Sequence, residues 1–305
     1  MTTDGEPTLS RLRDSSMEPE QPLLEAKGLS YVYEGGHQAL KDVDLAVHAG
    51  RRIAMVGANG AGKTTLLLHL NGVLRPTAGE VLMRGEPVTY DRAGLTALRQ
   101  MVAVVFQNPD DQLFAGAVYQ DVSFGPLNLG IEEDAVRERV DEALEALQIT
   151  HLRERPTHML SYGQKKRVAI AGAVAMRPRI LILDEPMAGL DPSGAWNLRQ
   201  VLEELHAGGT ALLVATHDMS LAYEWMEEVV IIREGVVMRH GKPWEVMDDP
   251  ALLAHCGLRT PWVAEIAGVL REYGILPVEA QSPRTREELK DALVAAFERS
   301  RTTTG

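Results

Sequence analysis

Cysteine is nearly missing from the chain: Cys256 is the single one in 305 residues. That excludes an internal disulfide and any cysteine-based metal cluster. Aromatic residues are few, at 5%. No apolar run approaches the roughly 18 residues that a membrane span needs. The N-terminus has no charged-then-apolar leader, so the expected location is cytoplasmic. Basic residues are outnumbered, and the formal net charge of −12 argues against a general nucleic-acid binder. The acidity reads as ordinary solubility. Internal repeats and sustained heptads are lacking too. What is present is a 45% hydrophobic composition, enough for one large domain with an appendage.

The chain is organised around Gly57-Ala-Asn-Gly-Ala-Gly-Lys63-Thr64-Thr65. Every fixed position of the phosphate-loop pattern G-x-x-x-x-G-K-[ST] is filled. Ile53–Val56 before it reads as a short buried strand, and Leu66, Leu67, Leu70, Val73 and Leu74 after it recur at helical spacing. The glycines therefore lie on a strand-to-helix turn. Gly57, Gly60 and Gly62 allow successive N–H groups to face inward around phosphate oxygens, and the helix start adds its positive dipole end. Lys63 is placed to reach the β- and γ-phosphates, and the Thr64 hydroxyl to ligate Mg²⁺.

Residues 1–22 are polar, rich in Pro, Ser and Glu, and without period, which predicts a disordered tail with Met17 as an alternative start. Short strands and turns follow: Leu23–Glu25, Leu29–Tyr33 and Leu45–Val47 before the loop, Val81–Met83 after it. Met101–Phe106 is an apolar strand that ends at Gln107 and opens a polar loop, Gln107 to Phe114. Val136, Val140, Leu144 and Leu147 mark an amphipathic helix. A second helix spans Ser161–Met176, with capping-box spacing between Ser161 and Gln164. Ile180–Leu183 is a buried strand running into Asp184-Glu185, and Ala211–Ala215 is another, ending at Thr216-His217. Strands with helices between them indicate a mainly parallel sheet. Past Gly241 come short helices: Asp249-Pro250 is an N-cap with proline at the first helical position, and Thr285 with Glu288 has capping-box spacing.

An apolar strand delivering Asp184 to the sheet edge puts it where it can hold Mg²⁺. Glu185, one residue on, is placed to activate or orient an attacking water. Ser161 and the amides after it make a helix N-terminus suited to an anion. Helix capping explains Ser161 and Gln164 but not Gly163, which allows a phosphate to approach the backbone. His217 sits where an imidazole can meet a γ-phosphate.

Taken in order, these motifs resemble the nucleotide-binding subunit of ATP-binding-cassette (ABC) transporters. Gly57–Thr65 matches the Walker A motif and Ile180–Glu185 the Walker B motif. Gln107 matches the Q-loop glutamine, Leu160–Gln164 the signature, Gly189-Leu190-Asp191 the D-loop and His217 the switch histidine. Tyr33 resembles the adenine-stacking aromatic, with Tyr31 the second choice. The resemblance implies an α/β fold: a phosphate-loop NTPase (RecA-like) core over about 23–240 with an antiparallel β subdomain and a helical subdomain near 108–177, plus a small C-terminal helical extension, 241–305, used in dimerisation. It implies ATP and Mg²⁺ as ligands. Catalytic residues would be Glu185, His217 and Gln107. Nucleotide contacts would come from Tyr33, Gly57, Asn59, Gly60, Ala61, Gly62, Lys63, Thr64, Thr65, Ser161, Gly163, Gln164 and Asp191, and Mg²⁺ ligands from Thr64, Gln107 and Asp184. Two departures are Tyr162, where glycine is commonest, and Met187, where threonine is usual.

The loop Gln107–Phe114 is similar to that of energy-coupling-factor (ECF) importer ATPases, and Ser161–Gly172 to their cobalt-import branch. Gly257-Leu258 before Pro261 resembles that group's C-terminal extension. The resemblance implies a head-to-tail dimer, either of identical chains or with a paralogue. It further implies a transmembrane coupling subunit, a membrane component that binds the solute, a place at the cytoplasmic face of the cell membrane, and cobalt, nickel or a vitamin as cargo. An ABC ATPase of DNA repair or translation fits less well: there is a single cassette, and no heptads lie between Thr65 and Ser161. A regulatory subunit without turnover is disfavoured by the presence of both Glu185 and His217.

Overall fold

The computed structural model describes residues 21–277 and 281–302, with side-chain surroundings given up to residue 298. The disordered tail and alternative start expected before residue 21 fall outside them.

The first strands, β1 (Leu24–Val32) and β2 (Gln38–Val47), form an antiparallel hairpin and are followed by β3 (Arg52–Val56) and helix α1 (Lys63–Leu70). Then come β4 (Ala78–Met83), β5 (Glu86–Pro87), α2 (Arg92–Met101) and β6 (Val102–Val105). A helical block follows: α3 (Val118–Asn128), α4 (Glu133–Ala146) and α5 (Tyr162–Ala175). The chain returns through β7 (Ile180–Asp184), α6 (Pro192–Ala207), β8 (Ala211–Thr216), α7 (Met219–Trp225), β9 (Glu228–Arg233) and β10 (Val236–Gly241). It ends in α8 (Pro243–Met247), α9 (Pro250–His255), α10 (Trp262–Glu272) and α11 (Arg286–Thr302). The two expected strands at Leu23–Glu25 and Leu29–Tyr33 are one strand, β1, interrupted by register shifts between Ala26 and Leu29.

Two sheets result. One is antiparallel, in the order β2-β1-β4-β5; the other has the order β10-β9-β3-β8-β7-β6 and is parallel except for its β9–β10 edge. The parallel strands are apolar throughout because both faces are covered. Alternate residues face two different cores. Ile53, Met55, Ile180, Ile182, Leu213 and Ala215 face α1 and the antiparallel sheet. Ala54, Val56, Leu181, Leu183, Leu212 and Val214 face α6, α7 and the helical block.

The C-terminal extension is not packed as a detachable piece. Val246, Met247, Leu253, Cys256, Val263 and Leu289 are buried in the same cluster as β3, β7 and β8. A polar network adds to this. The Tyr223 hydroxyl donates to Asp248 at 2.7 Å, and Ser282 donates to the same carboxylate. Arg284 donates to the carbonyls of Tyr223 (2.9 Å) and Met226, at the end of α7. Asp249 caps α9 through the Leu252 N–H as expected; at α11 only half of the expected box forms, since Thr285 accepts from the Glu288 N–H while the Glu288 carboxylate accepts from the Arg284 N–H.

Candidate functional site

The carboxyl ends of β3, β7 and β8 converge on one edge of the parallel sheet, where such folds bind ligands. β3 feeds the phosphate loop into α1. Gly57 has no room for a side chain: a Cβ there would lie 2.3 Å from the Ile232 carbonyl oxygen. Gly62, at the N-cap of α1, has φ +106°, and a Cβ would meet the Ala39 oxygen at 2.8 Å. These two glycines let the loop curl tightly against β9 and β2. Lys63 is buried and its Nζ donates to the carbonyls of Gly57 (2.7 Å) and Ala58 (3.1 Å). Burial holds its pKa below the usual lysine range, opposed by the nearby charges of Glu185 and Asp184.

β7 brings in the acidic pair. The Thr64 hydroxyl donates to Asp184 Oδ2 at 2.8 Å. Burial raises the Asp184 pKa, and the Thr64 bond works against that rise. Glu185 is also buried, with φ +48°, an uncommon region for a residue with a side chain. Its carboxylate is gripped on both oxygens: Oε1 lies 2.7 Å from His217 Nδ1, and Oε2 accepts from the Thr216 hydroxyl at 3.2 Å. Acid, histidine and hydroxyl thus meet at the ends of β7 and β8.

A cavity of about 1020 Å³ opens over this edge. It is lined by Tyr33, Gly57, Asn59, Gly60, Gly62, Lys63, Thr64, Thr65, Gln107, Asp184, Glu185 and His217. Tyr33 stands at its wall with its hydroxyl 3.0 Å from Thr65 Oγ1. Tyr31 packs edge-on against Tyr33 and His69 instead and is outside the lining. Five of the expected nucleotide contacts are elsewhere. Ala61 is buried beneath the loop, its N–H donating to the Ala58 carbonyl at 3.1 Å. Ser161, Gly163, Gln164 and Asp191 do not line this cavity. Ser161 and Gln164 form a capping box at the start of α5, with reciprocal bonds of 3.4 and 3.0 Å. Asp191 caps α6 through the Gly194 N–H at 2.6 Å. That bond and one from Ser193 hold its pKa low.

Two features escaped sequence reasoning. The cavity's far wall is the segment Gly257–Trp262 of the extension, including Arg259. Lys166 is fully buried, although it sits on α5 in line with Ile170 and Ala173. A lysine on the apolar stripe of a helix is the signal that could have found it. Among the described residues, no three His, Cys, Asp or Glu side chains come together as a metal cluster, and no helix is long and apolar enough to cross a membrane.

A phosphate loop, an acidic pair and a histidine at one parallel-sheet edge define a phosphate-loop NTPase, and comparison with known proteins narrows the class. The domain described as ABC transporter matches residues 40–188. The cobalt import ATP-binding protein CbiO of Rhodobacter capsulatus is 51% identical over 88% of this chain and 96% of its own length. The energy-coupling factor transporter ATP-binding protein EcfA of Methanocaldococcus jannaschii is 44% identical over 84% of this chain and 92% of its own. Among solved structures, CbiO1 of Clostridium perfringens, part of an ABC transporter complex, superposes with a TM-score of 0.68 at 42% identity, covering 81% of this chain and 99% of that one. The chain belongs to the ATP-binding subunits of ABC transporters, of the energy-coupling-factor type, and is an ATPase.

Proposed function

We propose that this ATPase powers the uptake of a transition-metal ion, cobalt or nickel, as one of two cassettes beneath a membrane coupling subunit and a solute-binding membrane component. The observation that carries the cargo is the 51% identity, over nearly the full length of both chains, to a cobalt import ATP-binding protein. The energy-coupling factor relatives name no metal, and a vitamin, the other cargo that the family resemblance implies, is the second reading.

In this reading Lys63 exchanges its two carbonyl bonds for β- and γ-phosphate oxygens, while Tyr33 stacks on the adenine. The N–H groups of the loop around Asn59, Gly60, Gly62, Thr64 and Thr65 hold the remaining phosphate oxygens. Thr64 and Asp184, already 2.8 Å apart, offer the hydroxyl and carboxylate oxygens that suit Mg²⁺, with Gln107 completing the set. When bound, that ion neutralises phosphate charge. Glu185 orients the attacking water, and its bond to His217 fixes the direction of both side chains. Ser161, Gly163 and Gln164, absent from their own subunit's cavity, face the nucleotide of a second subunit, with Asp191 at the same seam. The stripe Trp262, Ile266, Val269 and Tyr273 is exposed along α10 and supports pairing through the extension.

Expression together with the membrane coupling subunit and the solute-binding component, followed by cell uptake of labelled cobalt or nickel, tests the cargo. Metal uptake abolished by Glu185→Gln is expected. Uptake of a vitamin but of neither metal would replace the cargo and leave the ATPase reading in place.

A further inference from the structure

The α5 helix carries two side chains one turn apart, Tyr162 and Lys166, and both reach the catalytic loops of their own subunit. Lys166 is fully buried. Its Nζ donates to the Glu185 carbonyl, to the Gln107 carbonyl at 3.3 Å and to the Ala188 carbonyl at 3.4 Å. The Tyr162 hydroxyl donates to the same Gln107 carbonyl at 3.1 Å. The Tyr162 ring lies against Gly189, where a Cβ would come within 2.4 Å of it. One helix face thus grips the end of β6, the residue after β7 and the turn toward Asp191.

The choice of a cation here is unfavourable for packing alone. Burial brings the Lys166 ammonium down to about 8, against the pull of the Glu185 and Asp184 charges. Burying an ammonium carries a desolvation cost that an apolar side chain of similar volume avoids. Its partners are three main-chain oxygens, all in loops that hold hydrolytic groups. One of them belongs to Glu185, whose positive φ needs support from its surroundings. An ammonium with three rotatable donors is suited to three converging carbonyls.

We propose that Lys166, assisted by Tyr162, is a positioning residue: it locks the main chain of Gln107, Glu185 and Ala188 to the signature helix, so that the attacking-water site is aligned only when that helix is seated. Given the head-to-tail dimer proposed above, on which this second part rests, the helix is seated by the partner's nucleotide. Lys166 is then the link by which ATP held at one site licenses hydrolysis at the other.

The test uses the full chain as Lys166→Met, which keeps the volume and removes the donors, and as Lys166→Gln, which restores a neutral amide with two N–H donors. ATP affinity is read by titration calorimetry, turnover by steady-state ATPase assay, and ATP-driven pairing by sedimentation with Glu185→Gln added to block hydrolysis. The expected result for Lys166→Met is ATP affinity within twofold of the parent, pairing retained, and kcat lowered at least tenfold. Lys166→Gln should recover part of the rate. Wild-type turnover in Lys166→Met overturns the proposal. So does a loss of melting temperature, affinity and rate together that Lys166→Gln does not relieve, because that marks a purely structural lysine. If Lys166→Met loses turnover with affinity intact but the parent never pairs with ATP, the dimer reading and the intersite link fall while the positioning role within the subunit stands.

Discussion

The phosphate loop and the start of α5 are alike on paper. Each is a glycine-bearing turn that opens a helix, with a serine or threonine near the glycine. In the fold they differ. Gly57 and Gly62 are required by their own subunit, since any side chain would collide with the carbonyls of Ile232 and Ala39. Gly163 is not: a Cβ there would meet only Leu190 Cδ2, at an ordinary 3.4 Å, and its φ is not positive. One turn lines the cavity and the other does not. The α5 start is closed by its own capping box, so Gly163 is the residue there that its own fold does not require. The phosphate-loop half of the site is thus assembled within the chain, and in the function proposed above the α5 turn is the half offered to a second copy.

The largest effect should come from the complete half. Glu185→Gln keeps the hydrogen bonds to His217 and Thr216 but loses the base, so turnover should fall by ~10²–10⁴-fold with ATP affinity retained. Wild-type hydrolysis by this variant would remove Glu185 from the chemistry. Lys63→Ala should act on binding itself, by roughly 10–100-fold in affinity, because charge-assisted bonds to phosphate are lost. Calorimetry with ATP checks it, and unchanged affinity in a folded protein would refute the contact.

Paired glycine variants sharpen the contrast. Gly57→Ala drives a methyl into backbone and should lower stability by ~1–3 kcal/mol, seen as a reduced melting temperature. Gly163→Val should leave melting temperature and ATP affinity of the isolated chain alone, yet cost ~1–3 kcal/mol of ATP-driven pairing. If Gly163→Val pairs and hydrolyses normally, α5 does not meet a partner's nucleotide.

The smallest effect on the isolated chain is expected beyond Gln107. Asn108 caps a short turn over Pro109–Asp111, and Asp121 accepts from the N–H groups of Phe114 and Ala115, so this loop is held in place. Asp110 is committed to Lys165 of α5 at 2.5 Å, which makes Asp111 the cleaner probe. Phe114 is 64% exposed and packs edge-on against the exposed Phe124, an apolar patch beside that acid. Asp111→Lys should leave ATPase activity near normal, while like charges across an interface cost several kcal/mol and reduce recovery of the membrane complex. We propose this loop as a surface that meets the membrane coupling subunit, and normal assembly and uptake by the variant would refute that.

Elements with strong local signals were legible in the sequence. The strands β6, β7 and β8 are unbroken apolar runs, α4 has clear amphipathic spacing, and α5 carries its capping box. The helix α3 was not legible because Gly125 and Pro126 interrupt it; neighbouring helices α4 and α5 hold it together instead. The helix α6 was missed although Asp191-Pro192 is the same cap-and-proline signal that marks α9. The residues 257–262 could not be placed at the cavity from sequence, because contacts between distant segments leave no local pattern.

By itself, the sequence determined the class of chemistry. A phosphate loop needs a fixed spacing of glycine, lysine and threonine along one turn, and the acidic pair beside it needs a strand to carry it, so both are written locally. Tertiary structure alone decided which of the expected site residues share one cavity and which stand apart from it. The same is true of the clamp from Lys166 to three carbonyls and of the extension's closure over the cavity wall. Each depends on backbone groups brought together across the parallel sheet, and a carbonyl oxygen is identical in every residue. No amino-acid letter marks it as a partner until the fold places it within hydrogen-bonding distance.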